Sequence, residues 1–192
     1  LEEKIIKKLK ELNYKLSCAE SCTGGMIIST LIGVSGASNV INESYVTYSI
    51  DAKCKILGVN IDTINKYNVE SLEVAEEMVK GLYEKTNSEV CISVTGFAGS
   101  NKKEFTDGLC FYGIKILDNI LAFKSKLNNL NCIVIDIKDY VQIILDQNLE
   151  ILYSYIKKRG AWKELEREQA QQIMCNLYIA LSKSKIRHLK IY

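Results

Sequence analysis

The short stretch "AESCTGG", residues 19–25, gathers several reactive or ligand-binding groups into one turn. A carboxylate, two hydroxyls and a thiol stand beside two glycines, between an apolar stretch and the predicted start of a helix. The unpaired N–H groups of a helix start attract anions, and glycine lets a ligand approach the backbone closely. The turn therefore predicts a contact with an anion or a nucleotide. The alternative is a capped turn that only joins a strand to a helix.

The thiol in this turn raises two further alternatives. Cys22 could act as a thiolate nucleophile at a helix N-terminus. The single histidine, His188, lies near the end of the chain, so the sequence indicates no Cys–His pair. A metal site built from Cys18, Cys22 and His188 is weaker still. We therefore expect neither a metal nor a cofactor.

A second glycine-containing turn, "TGFAG" at residues 95–99, also follows a predicted strand. Turns at strand ends in one α/β sheet tend to converge at one edge, where ligands bind. Between the two turns lie Ser38 and Lys53, which could form a serine–lysine pair if the amine were neutral. That requires the lysine pKa to fall from about 10.4. From spacing alone such a pair is a weak signal, because the chain contains many serines and lysines.

The elements that would position these residues alternate along the chain. We predict helices over residues 1–13, over "MIISTLI", from an N-cap at Ser71 to about Glu84, and over residues 132–158 and 161–183, although "CIVIDI" could be a strand. Strands are predicted at "KLSCA", "YVTYS", "EVCISVTG", "GLCFYGIKI" and "ILAFKSKL", the last two as a hairpin. This order predicts a three-layer α/β/α sandwich with a mixed sheet, as a single domain with a C-terminal helical extension.

Composition favours a globular protein of the cytoplasm. The 192 residues are 47% hydrophobic and 25% charged, with seven scattered cysteines that we expect to be reduced. No run of about 18 apolar residues and no basic-then-apolar leader is present, so neither a membrane span nor a signal peptide is expected. Residues 157–192 hold nine Lys or Arg against three Glu, a charge typical of a solvated helix face or, less favoured, of a nucleic-acid contact.

The order of the motifs carries a family resemblance. The segments "AESCTGG", "GAS", "VTYSIDAK", "VESLEVAEEMVKGL" and "SVTGFAG" closely resemble the C-terminal domain of the competence/damage-inducible protein CinA, over roughly residues 1–156. Stand-alone members of that family are nicotinamide mononucleotide deamidases. The resemblance thus implies an amidohydrolase domain over residues 1–158 and a basic helical extension of unknown role over residues 159–192.

The resemblance also implies a site and a mechanism. Ser38 matches the family's nucleophile, Lys53 its base and Tyr48 the tyrosine of its site. The matching positions for substrate binding are Ser21, Thr23, Gly24, Gly25, Thr95, Gly96 and Gly99. Glu20 would fix the first turn while backbone amides meet a polar group of the ligand. No metal is required by this serine–lysine chemistry.

Two departures from the family pattern concern the phosphate of a mononucleotide. The loop after "TGFAG" reads "SNKKEFTDG" without proline, and "LNNLNCIVID" offers no arginine turn, so a phosphate would have to be held by backbone amides, with Lys102 or Lys103 as possible point charges. The alternatives are a non-catalytic nucleotide-binding or regulatory protein, or an amidase for another small amide. As partners we expect a small-molecule nucleotide substrate and a homo-oligomer, a dimer or higher, with no membrane and no nucleic acid.

Overall fold

The computed structural model describes residues 1–97, 108–117 and 119–126, which form a five-stranded mixed sheet with helices on both faces. The strands are β1 (Leu16–Glu20), β2 (Ile41–Val46), β3 (Val90–Gly96), β4 (Leu109–Ile116) and β5 (Asn119–Lys126). The helices are α1 (Glu2–Leu12), α2 (Met26–Ile32), α3 (Ile50–Leu57), α4 (Ile61–Tyr67) and α5 (Leu72–Thr86), with a 3₁₀ turn at Ala37–Asn39. The predicted α/β class with a mixed sheet is confirmed.

The sheet has the order β2-β1-β3-β4-β5. Strands β2, β1 and β3 run parallel, whereas β4 and β5 are antiparallel and form the predicted hairpin. In the parallel part, Glu20 at the end of β1 lies beside Val46 of β2 and Val94 of β3. The three segments that leave these strands therefore begin at one edge of the sheet, which we call the carboxyl edge. The opposite edge, where Leu16 lies beside Ile41 and Val90, is the amino edge.

Each face of the sheet has its own apolar core. On one face, α1 and α2 bury Ile5, Leu9, Ile27 and Leu31 against the sheet. On the other face, helices α3, α4 and α5 bury an apolar set that consists of Leu57, Ile64, Val74, Met78, Val79 and Leu82. Helices thus cover both faces of the sheet, which gives the three layers of an α/β/α sandwich.

Several element boundaries match the sequence-based predictions and others differ. Helix α5 begins after its cap Ser71, whose Oγ accepts a hydrogen bond from Val74 N at 3.3 Å, as predicted. Strand β2 begins at Ile41 and ends at Val46, so the prediction of a strand over "YVTYS" placed it too late. Helices α3 and α4 were not predicted at all. The two predicted helices beyond residue 131, and the domain boundary at residue 158, lie outside the described residues.

Within the described part of the chain, none of the helices has the length and apolar character needed to cross a membrane.

Candidate active site

The site is assembled from the segments that follow the parallel strands. The "AESCTGG" turn leaves β1, residues 47–49 leave β2, and Gly96 ends β3, all at the carboxyl edge. Two hydrogen bonds continue the sheet there: Ser21 N donates to Val94 O at 3.0 Å, and Thr47 N donates to Glu20 O at 2.8 Å. The expected convergence of the strand-end turns is therefore present for those parts of the turns that the structure describes.

Lys53 lies at the centre of this edge and is fully buried. Its Nζ donates hydrogen bonds to Ser21 Oγ at 2.9 Å, to Thr47 O at 2.8 Å and to Tyr48 O at 3.3 Å. The lysine reaches this position from the first turn of α3, which Ser49 caps by accepting from Ala52 N at 3.1 Å. Because α3 starts directly after β2, its first turn is held against the ends of β1 and β2.

Burial makes protonation of this lysine less favourable. The pKa of Lys53 is lowered from its ordinary value, chiefly because burial disfavours the charged amine, although the charge of Glu70 partly opposes that effect. A lowered pKa increases the fraction of neutral amine near pH 7. A neutral lysine that contacts a hydroxyl can remove the hydroxyl proton, so the Ser21–Lys53 contact is a candidate nucleophile–base pair.

Ser38 does not belong to this site. It lies in the 3₁₀ turn Ala37–Asn39 that precedes β2, and therefore at the amino edge. The six residues of β2 separate the two edges by about 20 Å at ~3.3 Å per residue. The pairing of Ser38 with Lys53, which the family resemblance implied, is thus wrong in this geometry. The hydroxyl that meets the lysine is that of Ser21, which the sequence had placed only among the substrate-binding residues.

The glycine turn is held by Glu20, as expected. The buried carboxylate accepts hydrogen bonds from Gly25 N at 3.0 Å, Ile27 N at 3.1 Å and Ile28 N at 2.9 Å, so it caps the start of α2. The backbone of Gly24 and Gly25 has φ of +59° and +97°, a region that other residues enter only with strain. The amides at the start of α2 therefore bind Glu20, which corrects the expectation that they meet a ligand.

One residue of the turn keeps its polar groups available. The Thr23 hydroxyl is buried, and in the part of the chain that the structure describes it has no hydrogen-bond partner. Among the described residues, the Thr23 N–H likewise has no hydrogen-bond acceptor, whereas the nearby amides of Gly24 and Met26 donate to Ser21 O and Thr23 O. Thr23 thus offers donors two residues after Ser21, where a bound carbonyl oxygen could accept them.

The remaining predicted site residues have different roles. Tyr48 is 76% exposed, and its backbone carbonyl, not its side chain, contacts Lys53. The Thr95 hydroxyl is buried and donates to Val69 O at 3.2 Å, so it holds a loop instead of facing an open site. A Cβ on Gly96 would lie 2.5 Å from Leu109 O, so this glycine permits close packing of β3 and β4. Gly99, Lys102 and Lys103 lie outside the described residues.

Two neighbours of Lys53 were missed by the sequence analysis. Glu70 precedes the cap of α5 and is close enough for its charge to raise the pKa of Lys53. Thr47 supplies the carbonyl that binds the amine, and its own buried hydroxyl has no partner among the described residues. For Thr47, the signal was its position directly before Tyr48 in "VTYS". Nothing in the local sequence links Glu70 to Lys53.

Across residues 1–97, 108–117 and 119–126, no cluster of His, Cys, Asp and Glu could hold a metal ion.

Comparisons with known proteins agree with this architecture. Residues 1–145 match the family model described as CinA C-terminal domain. A CinA-like protein of Flavobacterium psychrophilum is 38% identical over 160 residues, which are 82% of this chain and 37% of that protein. A CinA-like protein of Petrotoga mobilis is 39% identical over 127 residues, which are 65% of this chain and 32% of that protein. The chain spans about a third of the length of the curated relatives it matches.

A solved structure shares the fold. The crystal structure of the competence/damage inducible protein CihA from Agrobacterium tumefaciens superposes with a TM-score of 0.66 at 29% sequence identity. The match covers 80% of this chain and 92% of that protein. The fold of this chain is therefore one that a known protein also adopts.

Proposed function

The chain belongs to the CinA C-terminal domain family, and on that premise we propose that it deamidates nicotinamide mononucleotide to nicotinic acid mononucleotide and ammonia. The observation that supports an amidohydrolase is the contact of 2.9 Å between Ser21 Oγ and the buried Nζ of Lys53. The nicotinamide substrate follows from the family resemblance alone. We assign Ser21, not Ser38, as the nucleophile and Lys53 as the base.

The surroundings of Lys53 favour a base aimed at Ser21. A neutral amine has two N–H donors and one lone pair. The carbonyls of Thr47 and Tyr48 can only accept, so they hold the two hydrogens. The remaining neighbour, the Ser21 hydroxyl, is the group that can donate to the lone pair. Removal of one ammonium proton therefore leaves the two hydrogen bonds to the carbonyls in place and reverses the third, so that the Ser21 hydroxyl donates to Nζ without movement of the side chain.

The reaction then follows the usual course of acyl transfer. Ser21 Oγ forms a bond to the carboxamide carbon while Lys53 takes the hydroxyl proton, and the carbonyl oxygen becomes an oxyanion. The Thr23 N–H and hydroxyl would donate to that oxyanion, where one such donor is commonly worth about 3 kcal/mol. Lys53 returns the proton to the amide nitrogen as the carbon–nitrogen bond breaks, and ammonia leaves. Water, activated by the same amine, hydrolyses the acyl ester and regenerates Ser21.

A second candidate function has a specific observation in its favour. The sequence "LNNLNCIVID" lacks the arginine turn of the family, and arginine is the residue best suited to hold a phosphate through two parallel hydrogen bonds. The same serine–lysine pair could therefore serve a small amide that carries no phosphate, such as the riboside of nicotinamide.

One experiment tests the proposal and separates the candidates. The pure protein is incubated with nicotinamide mononucleotide or with nicotinamide riboside, and ammonia and the acid product are measured together. Ammonia release from the mononucleotide with equal formation of nicotinic acid mononucleotide supports the proposed function. Release from the riboside at an equal or higher kcat/KM favours the second candidate. No release from either substrate contradicts both.

A further inference from the structure

Two thiols lie next to the proposed nucleophile. Cys22 follows Ser21 directly in the turn after β1, and Cys110 is the second residue of β4. Cys110 is fully buried and Cys22 is partly buried, and both belong to the apolar core under α1 and α2. Neither is in a disulfide in this structure.

The fold brings these two thiols together from distant parts of the sequence. Ser21 N is bonded to Val94 O of β3, and β3 continues to Gly96, which lies opposite Cys110 in the antiparallel register. The absence of a side chain at Gly96 leaves the Cys110 sulfur close to the end of β3, since a Cβ there would lie 2.9 Å from Sγ. Cys22 packs against the apolar core that contains Cys110, and the two thiols are close enough for Cys110 to lower the pKa of Cys22 by hydrogen bonding.

We propose that Cys22 and Cys110 form a redox-responsive pair, which a hydroperoxide converts into an intramolecular disulfide that stops turnover at Ser21. The formation of the disulfide is independent of the proposed function. Only the effect on turnover rests on it.

The environment favours Cys22 as the thiol that is oxidised first. The pKa of Cys22 is lowered, chiefly by the hydrogen bond with Cys110 and further by its own backbone N–H and the charge of Lys53, which together outweigh burial. Burial instead raises the pKa of Cys18, and it raises that of Cys91 to about 11. Because the thiolate is the form that attacks peroxides, we expect Cys22 to react faster than the buried Cys18 and Cys91.

The oxidation balances with the hydroperoxide as the only oxidant. The Cys22 thiolate attacks the O–O bond, takes one oxygen as a sulfenic acid and releases an alcohol or water. The Cys110 sulfur then attacks the Cys22 sulfur, an S–S bond forms and water leaves. The pair loses two electrons and two protons, and the hydroperoxide is reduced. A thiol or dithiol reductant reverses the step by exchange.

We expect the disulfide to reduce activity by displacing Ser21 from Lys53. A covalent bond between Cys22 and Cys110 would pull the turn toward β4 and move Ser21 relative to Lys53. A displacement of about 1 Å in a catalytic group can reduce the rate by about a hundredfold. Because the contact of Ser21 with Lys53 depends on the position of this turn, we expect a loss of that order and full recovery on reduction.

The test uses thiol counts and ammonia release in parallel. The reduced protein is treated with hydrogen peroxide, then denatured and titrated, and its peptides are mapped without reductant. We expect the count of thiols to fall by two from the seven in the sequence, with a Cys22–Cys110 peptide pair. Cys110→Ser should form no such pair and should keep its basal rate. Cys54→Ser, which removes a partly buried thiol on the other face of the sheet, should behave as the wild type.

The possible outcomes test separately whether the disulfide forms, whether it inhibits turnover, and whether the protein deamidates its substrate. An unchanged thiol count, or a disulfide between other cysteines, overturns the pair. A Cys22–Cys110 disulfide with unchanged ammonia release overturns the inhibitory effect. If the reduced protein releases no ammonia, the proposed function fails, while the thiol count and the peptide map still decide whether the pair exists.

Discussion

The two edges of the parallel strands present the same residue types in different surroundings. At the carboxyl edge, Ser21 meets a fully buried lysine. At the amino edge, Ser38 is exposed, and the nearby amines of Lys10 and Lys15 donate to the carbonyls of Ser35 and Asn39. Both of these lysines are exposed.

The difference shows what makes a lysine a candidate base. At the amino edge, the exposed amines of Lys10 and Lys15 bind backbone carbonyls of loop residues. Burial of Lys53 disfavours its charge, and its position beside a hydroxyl gives the neutral form a proton to accept. Residue type and spacing are therefore insufficient to identify a catalytic lysine. The burial of Lys53 and its contact with the Ser21 hydroxyl distinguish the carboxyl edge as the candidate site.

The largest expected effect comes from removing the hydroxyl at the carboxyl edge. Ser21→Ala should lower kcat for ammonia release by about 10⁴-fold or more, because loss of the nucleophile leaves only residual catalysis. The matched variant Ser38→Ala should keep the wild-type rate, since its side chain is exposed at the other edge. Circular dichroism should show that both fold. A large loss in Ser38→Ala with activity kept in Ser21→Ala would reverse the comparison.

Removal of the amine gives the next largest effect. Lys53→Met keeps a chain of similar length without the base, and kcat should fall by about 10²–10⁴-fold. The carbonyls of Thr47 and Tyr48 lose their donor, which should cost about 1–3 kcal/mol of unfolding free energy. Lys15→Met, at the amino edge, should leave kcat unchanged. Thermal unfolding and ammonia release measure the two effects, and equal rates in the two variants would exclude Lys53 as the base.

The pH profile sharpens the comparison further. The kcat/KM should rise with pH through the lowered pKa of Lys53, since the neutral amine is the active form. Glu70 raises that pKa, so Glu70→Gln should move the midpoint of the rise to lower pH. Glu89→Gln removes a carboxylate at the amino edge, where Glu89 accepts from Lys15 N at 2.8 Å, and should not move the midpoint. A shift to higher pH in Glu70→Gln would contradict the assignment.

The smallest effect concerns the helix that delivers the lysine. Ser49→Ala and Asn60→Ala each remove an N-cap, of α3 and α4 respectively, and each should cost about 1 kcal/mol of stability. Only Ser49→Ala should also lower kcat, because α3 holds Lys53 and α4 does not. Chemical unfolding and ammonia release separate the two effects. Equal kcat in both variants would show that the cap does not position the amine.

Local patterns predicted most of the helices and strands that the structure describes. Helix α5 has a serine cap and an apolar face at helical spacing, α2 is mostly apolar, and nearly every residue of the strands β1, β3 and β4 is buried. The short helices α3 and α4, eight and seven residues long, were missed. Their caps, Ser49 and Asn60, were visible in the sequence. The start of β2 was missed because most of its side chains are exposed, so it lacks an apolar run.

Local pattern and motif order were enough to predict the family, the α/β class and the glycine turn, and to single out Lys53. Which serine contacts the lysine, in contrast, depends on long-range packing. Ser21 and Lys53 are 32 positions apart, and their contact depends on the parallel register of β1 and β2 and on the burial of the first turn of α3. Ser38 lies closer to Lys53 in the sequence, but the whole length of β2 separates them in space, since a residue before a strand lies at the opposite edge from one that follows it.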